Sequence, residues 1–133
     1  MPEDEQQLVE QAELACSTAH APYSNFHVGA AALLESGRVV IGSNQESEVY
    51  PAGICAERNA MFHAVAEGHT KFRRIVIAGK SHDFCVPCGM CRQVMREFCG
   101  DDFKIYMVSP SGYEEATMAQ LLPFSFSNVN MTE

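Results

Sequence analysis

Apolar and polar positions change period several times along the chain, and each change predicts an element. From about Glu3 to His20, Leu8, Ala12, Ala15, Cys16 and Ala19 recur at helical spacing, with Pro22 just beyond; this predicts an amphipathic helix. "APYSNF" reads as a loop. "HVGAAALLE" and "RVVIGSN" are apolar runs joined by "SGR", which predicts a β-hairpin. A loop holding Pro51 and Gly53 leads into a helix from about Cys55 to Glu67. "RRIVIAGK" reads as a short buried strand. Pro87 suits a helix entry, and that helix runs to about Cys99. "FKIYMVS" is a further buried strand, "PSG" a turn, and "TMAQLL" a short helix closed by Pro123.

After the hairpin the order is helix, strand, helix, strand. This predicts an α/β sandwich, a mixed sheet with helices on its faces. There is no internal repeat, low-complexity segment or linker, so residues 1–133 read as one domain with a loose tail over about 127–133.

Composition narrows the setting. Apolar residues make up 47% of the chain, enough for a core without disulfides. The first twelve residues hold no long apolar run and begin with acids, so no signal peptide is expected. Nothing approaches the roughly 18 consecutive apolar residues of a membrane span. The expected compartment is the cytoplasm, where thiols stay reduced. Six cysteines in that setting point to metal binding or catalysis rather than to disulfides. The formal charge is −8, and the nine Lys and Arg are scattered. A polyanion such as nucleic acid would be repelled, so a small neutral or cationic substrate is the better match.

The cysteines then need a partner. "FCVPCGMCRQVM" places Cys85, Cys88 and Cys91 at equal spacing. With Pro87 at a helix entry, Cys88 and Cys91 are i and i+3 in its first turn, and their sulfurs can meet on one side. Cys55 stands at the start of the preceding helix. Helix N-termini carry partial positive charge and lower thiol pKa values. Two such ends facing each other supply three thiolates, a donor set that favours zinc. Glu57 lies two residues from Cys55, where a carboxylate can move protons at a zinc-activated water. Arg58, i+3 from Cys55, can hydrogen-bond the sulfurs and offset their charge; the plainer reading of it is a surface ion pair. A ferredoxin-like run fails because Met95 stands where the fourth cysteine belongs. A thioredoxin-like dithiol leaves Cys55-Ala56-Glu57 unexplained. A closed structural zinc with Cys85 as fourth ligand is the remaining alternative, and it requires Cys85 to fold back from before Pro87.

Cys55-Ala56-Glu57 and Pro87-Cys88-Gly89-Met90-Cys91 match the zinc deaminase pattern, with cysteine in the histidine position. With "APYSNFHVGAA", "NQE", "CAERNA", "PCGMCRQV" and "LLP" in this order, nearly the whole chain resembles cytidine deaminases of the short, homotetrameric kind. The resemblance implies a three-layer α/β/α sandwich with a mixed central sheet of about five strands. It makes Cys55, Cys88 and Cys91 ligands of one zinc per subunit, and Glu57 the proton shuttle for water attack on C4 of a cytosine ring, with ammonia leaving. Asn44 and Glu46 would hold the ribose, Phe26 would pack on the pyrimidine, and the Ala56 backbone would help read the base. Tyr50 and Phe126 would reach a neighbouring subunit's site, so the sites would lie at subunit interfaces. The implied partner is a nucleoside in pyrimidine salvage, with no nucleic acid and no membrane.

Taken alone, Asn44 and Glu46 read as strand-end polar residues, and Phe26 as core. Cys16, Cys99, Met61, Phe62 and Val65 also read as core, and the five histidines as capping or surface residues. A deaminase of a cytosine-containing antibiotic such as blasticidin S shares the zinc motifs but has no need of the sugar pair. A non-catalytic zinc-binding module is the alternative from outside enzymology. It predicts four protein ligands and no activity that depends on Glu57.

Overall fold

A computed structural model describes residues 3–22, 27–46, 54–79, 89–109 and 112–123. In chain order the elements are helix α1 (Glu3–Ala15), a 3₁₀ turn (Cys16–Thr18), strands β1 (Val28–Leu34) and β2 (Val39–Ser43), helix α2 (Ala56–Ala66), strand β3 (Phe72–Gly79), helix α3 (Gly89–Phe98), strands β4 (Lys104–Ser109) and β5 (Gly112–Thr117), and helix α4 (Met118–Leu121). The five strands form one mixed sheet in the order β2-β1-β3-β4-β5. Among the described strands only β3 and β4 pair in parallel, joined through α3; the other neighbours are antiparallel.

Strand alternation sorts the core into two layers. Ala30, Ala32, Ile75, Ile77, Ile105 and Met107 point to the side that carries α2, α3 and α4. Ala31, Val76, Ala78, Tyr106 and Val108 point to the other side, where Leu8 and Ala12 of α1 cover them. Burial on both faces explains why β1, β3 and β4 read as nearly continuous apolar runs. The expected three-layer architecture is thus the one observed.

Two glycines let the helices lie flush on the sheet. A Cβ on Gly29 would collide with the Ala12 carbonyl and stand 2.7 Å from Cys16 N. A Cβ on Gly42 would collide with Ala60 N and stand 2.8 Å from the Ala56 carbonyl. The facing positions on α2 are Ala56, Ala60 and Ala64, all fully buried. Small side chains on both partners bring backbone to backbone.

Three sequence expectations change. The first helix ends at Ala15 rather than near His20, because its last turn tightens to 3₁₀ and the chain turns extended at Ala19. His20 thereby reaches the sheet, its N–H donating to the Asn44 carbonyl at 3.0 Å. The β5 strand has no apolar signature, since Gly112–Thr117 is a largely exposed edge strand held by pairing with β4. Phe62 is not core. It is 44% exposed, because α2 turns it away from the inward-facing Met61 and Ala64. Met61, Cys16 and Cys99 are buried as expected, and Val65 is partly so.

Gly29→Ala and Gly42→Ala should each cost about 1–3 kcal/mol of stability, read as a lower urea midpoint, because backbone on both sides has to move. Gly100→Ala meets nothing within 4 Å and should stay within about 0.5 kcal/mol of wild type. Burial pushes the Cys99 thiol up to about 12, against a smaller pull downward from Arg96. At pH 8 it should therefore resist iodoacetamide in the folded protein and react only after denaturation, as peptide mass spectrometry would read.

Candidate metal centre

The site is built where α2 and α3 begin. Cys55 is the N-cap of α2, in extended conformation (φ −76°, ψ 158°), and its carbonyl accepts the Asn59 N–H at 2.9 Å. Glu57 falls in the first turn of α2, where a negative charge is favoured by the helix dipole. It is only 3% exposed. Cys91 sits in the first turn of α3 and is fully buried. The Sγ atoms of Cys55 and Cys91 and a carboxylate oxygen of Glu57 all lie within 4.8 Å of one another. Two sulfurs bound to one tetrahedral zinc at about 2.3 Å each stand roughly 3.8 Å apart, so the cluster has the dimensions and softness that zinc takes. All four described cysteines are free thiols, consistent with ligation rather than pairing.

The local charges oppose one another. Burial pushes the Glu57 carboxyl up from its ordinary value, and the Cys55 sulfur adds to that. A hydrogen bond from the Cys91 side chain and the Arg58 guanidinium pull the other way. Arg58 Nη2 stands 3.9 Å from Cys55 Sγ, as its i+3 position allows. Its partial burial favours the neutral form, but Cys55 and Cys91 outweigh this and raise its pKa. A guanidinium beside two sulfurs offsets the negative charge that metal-binding thiolates would gather.

Asn44 and Glu46 follow the end of β2 and are both half-buried. Asn44 Oδ1 accepts the Val28 N–H at 2.9 Å, and Asn44 N–H donates to the Val28 carbonyl at 3.2 Å. The Glu46 N–H donates to His20 O at 2.8 Å. Between them, Gln45 exchanges both backbone hydrogen bonds with Ile54 at 2.9 Å each, and Ile54 immediately precedes Cys55. The structure therefore joins the strand-end pair directly to the start of α2, with Ala56 buried beside it. The sequence reading passes over Gln45. Its only signal there is its position between Asn44 and Glu46. Phe26, Tyr50, Cys85, Cys88 and Phe126 lie outside the described residues.

The family described as "Cytidine and deoxycytidylate deaminase zinc-binding region" matches residues 2–107. A cytidine deaminase from Halalkalibacterium halodurans is 40% identical over 131 residues, covering 98% of this chain and 99% of its own length. One from Sporosarcina psychrophila is 38% identical over 130 residues, covering 97% and 96%. A crystal structure of cytidine deaminase from Burkholderia pseudomallei superposes with a TM-score of 0.88 at 37% identity, over 95% of this chain and 100% of that one. With a match of that span on a fold that superposes so closely, the chain belongs to the cytidine and deoxycytidylate deaminase family.

Proposed function

We propose that the protein deaminates cytidine and 2′-deoxycytidine to uridine and 2′-deoxyuridine with release of ammonia, one zinc ion per subunit serving the reaction. The observation that carries this reading is a buried carboxylate, Glu57, converging with two helix-start cysteines. A purely structural zinc site has no use for that carboxylate. Cys55, Cys91 and Cys88 would hold the metal. When bound, zinc supplies a Lewis acid that makes water a nucleophile near neutral pH.

Glu57 handles the protons. It takes one from the attacking water and gives it to ring N3, which makes C4 electrophilic. The water oxygen bonds to C4. Glu57 then takes the second proton from the new C4 hydroxyl and passes it to the exocyclic amine; the C4–N bond breaks, the C4 carbonyl forms, and ammonia leaves. A carboxyl whose pKa is raised by burial suits this work, since it both accepts and releases a proton readily. Arg58 steadies the sulfurs. Asn44 and Glu46 hold the sugar hydroxyls, Phe26 packs on the pyrimidine ring, and the Ala56 backbone reads the base.

The rest of the reading follows from the family. The chain acts as one catalytic domain in the cytoplasm, in pyrimidine salvage. It assembles as a homotetramer in which Tyr50 and Phe126 complete a neighbour's site. Among the described residues, Phe62 on the outer side of α2 and Val39 and Ile41 on the β2 edge offer exposed apolar surface for such contacts. No helix of the described residues is long and apolar enough to cross a membrane.

Ultraviolet spectroscopy of the zinc-loaded protein with cytidine should show conversion to uridine. Glu57→Gln should keep fold and zinc and lose about 10²–10⁴-fold in kcat, the usual weight of general acid–base catalysis. Chelation should abolish turnover and added zinc restore it. Turnover of a cationic cytosine antibiotic but not of cytidine would move the substrate assignment. Full retention of function in Glu57→Gln would return the site to a structural role. Light scattering should give about four chain masses; a monomer of full activity would exclude sites shared between subunits.

A further inference from the structure

Strand alternation sends Asn44 and Glu46 to one side of the backbone and Ser43 and Gln45 to the other. On the reading above, on which this inference rests, the first pair holds the nucleoside's sugar. The second pair faces the 3₁₀ turn after α1. Gln45 Nε2 donates to Ser43 Oγ at 3.0 Å and to the Thr18 carbonyl at 3.2 Å. Ser43 Oγ and Thr18 Oγ1 are 2.8 Å apart. Thr18 Oγ1 also contacts the Ala15 carbonyl at 2.9 Å, and a carbonyl can only accept. The single Thr18 proton is thus committed, and Ser43 must donate to Thr18. The protons run one way: Gln45 amide to Ser43 hydroxyl, Ser43 to Thr18, Thr18 to Ala15. In this chain each hydroxyl gives one hydrogen bond and takes one. Ser43 is 4% exposed, so water is a poor substitute for its partners.

We propose that this Gln45–Ser43–Thr18 relay sets the register between the sugar pair and the metal centre, and that Gln45 and Ser43 are positioning residues for nucleoside binding. The backbone of Gln45 is the joint. It bridges to Ile54, next to Cys55, while its neighbours bond Val28 and His20. The relay ties the same residue to the end of α1. Asn44 and Glu46 are thereby held from three directions, and their distance from Cys55 and Glu57 is set before substrate arrives. Pre-set geometry of this kind lowers the cost of ordering on binding.

The test uses zinc-loaded wild type, Ser43→Ala, Gln45→Met and the double variant. Each single change should raise KM for cytidine about 3- to 10-fold, the weight of one or two neutral hydrogen bonds. kcat and zinc per chain should stay within about twofold. Because both changes break the shared Gln45–Ser43 bond, while each single variant keeps one tie to Thr18, the double variant should fall short of the product of the two single effects. Amide hydrogen exchange at Gln45 and Ile54 should quicken in all three. Unchanged KM despite faster exchange would reduce the relay to a structural staple and overturn the proposal. Additive KM effects, or loss of kcat together with zinc, would overturn it too. A wild type that leaves cytidine untouched would instead remove the functional reading and the substrate named here. Exchange still judges the relay in that case, and unchanged rates at Gln45 and Ile54 would dismiss it.

Discussion

The site depends on the flush contact between α2 and the sheet at Gly42. No side chain can stand at that position, because Ala60 N and the Ala56 carbonyl occupy the space. The facing alanines let the helix backbone settle against β2, and its first turn comes to rest beside the end of that strand. Cys55 and Glu57 are carried there with it. Had α2 stood off by the width of a side chain, the strand-end pair and the helix start would not be joined through Gln45 and Ile54. The same device recurs on the opposite face, where Gly29 admits α1 at Ala12 and Cys16. Both helix layers are located by glycine on the sheet and small residues on the helix. The larger side chains fill the space around these contacts.

That packing places charge where charge is costly. Glu57 is nearly sealed from solvent, and a buried carboxylate requires compensation. The Cys91 side chain and Arg58 offset part of that cost, and the helix N-terminus adds a favourable dipole, but burial and the Cys55 sulfur still leave the Glu57 pKa raised. Arg58 in turn owes its raised pKa to the two sulfurs. The chain as a whole carries a formal charge of −8, in keeping with a small substrate rather than a polyanion.

Much of this was readable in advance, for local reasons. Buried strands announce themselves by apolar runs, and β1 through β4 were found on that basis. Cys55-Ala56-Glu57 was readable because three consecutive residues at a helix start have few ways to arrange themselves. Arg58 was readable through its i+3 spacing from Cys55. β5 was not, because a largely exposed edge strand with Glu114 and Glu115 at its middle shows no apolar alternation. Its strand geometry comes from the hydrogen bonds of β4. Phe62 was misplaced for a related reason. In a helix with Met61 and Ala64 inward, hydrophobicity does not say which side of the helix a residue takes.

The sequence by itself determined the order of elements as far as β4, the α/β class, and the cysteines and carboxylate that are candidates for a zinc site. These follow from periodicity, capping and residue chemistry within a few positions of one another. Only the tertiary structure decided that Cys55 and Cys91 converge with Glu57, since the two helix starts are far apart in the chain and meet through sheet packing. Only it showed that Gln45, between Asn44 and Glu46, is hydrogen-bonded both to Ile54 beside the start of α2 and to the turn after α1. Hydrogen bonds between distant backbones leave no periodic trace in the residues that make them, because every amino acid except proline carries the same donor and acceptor.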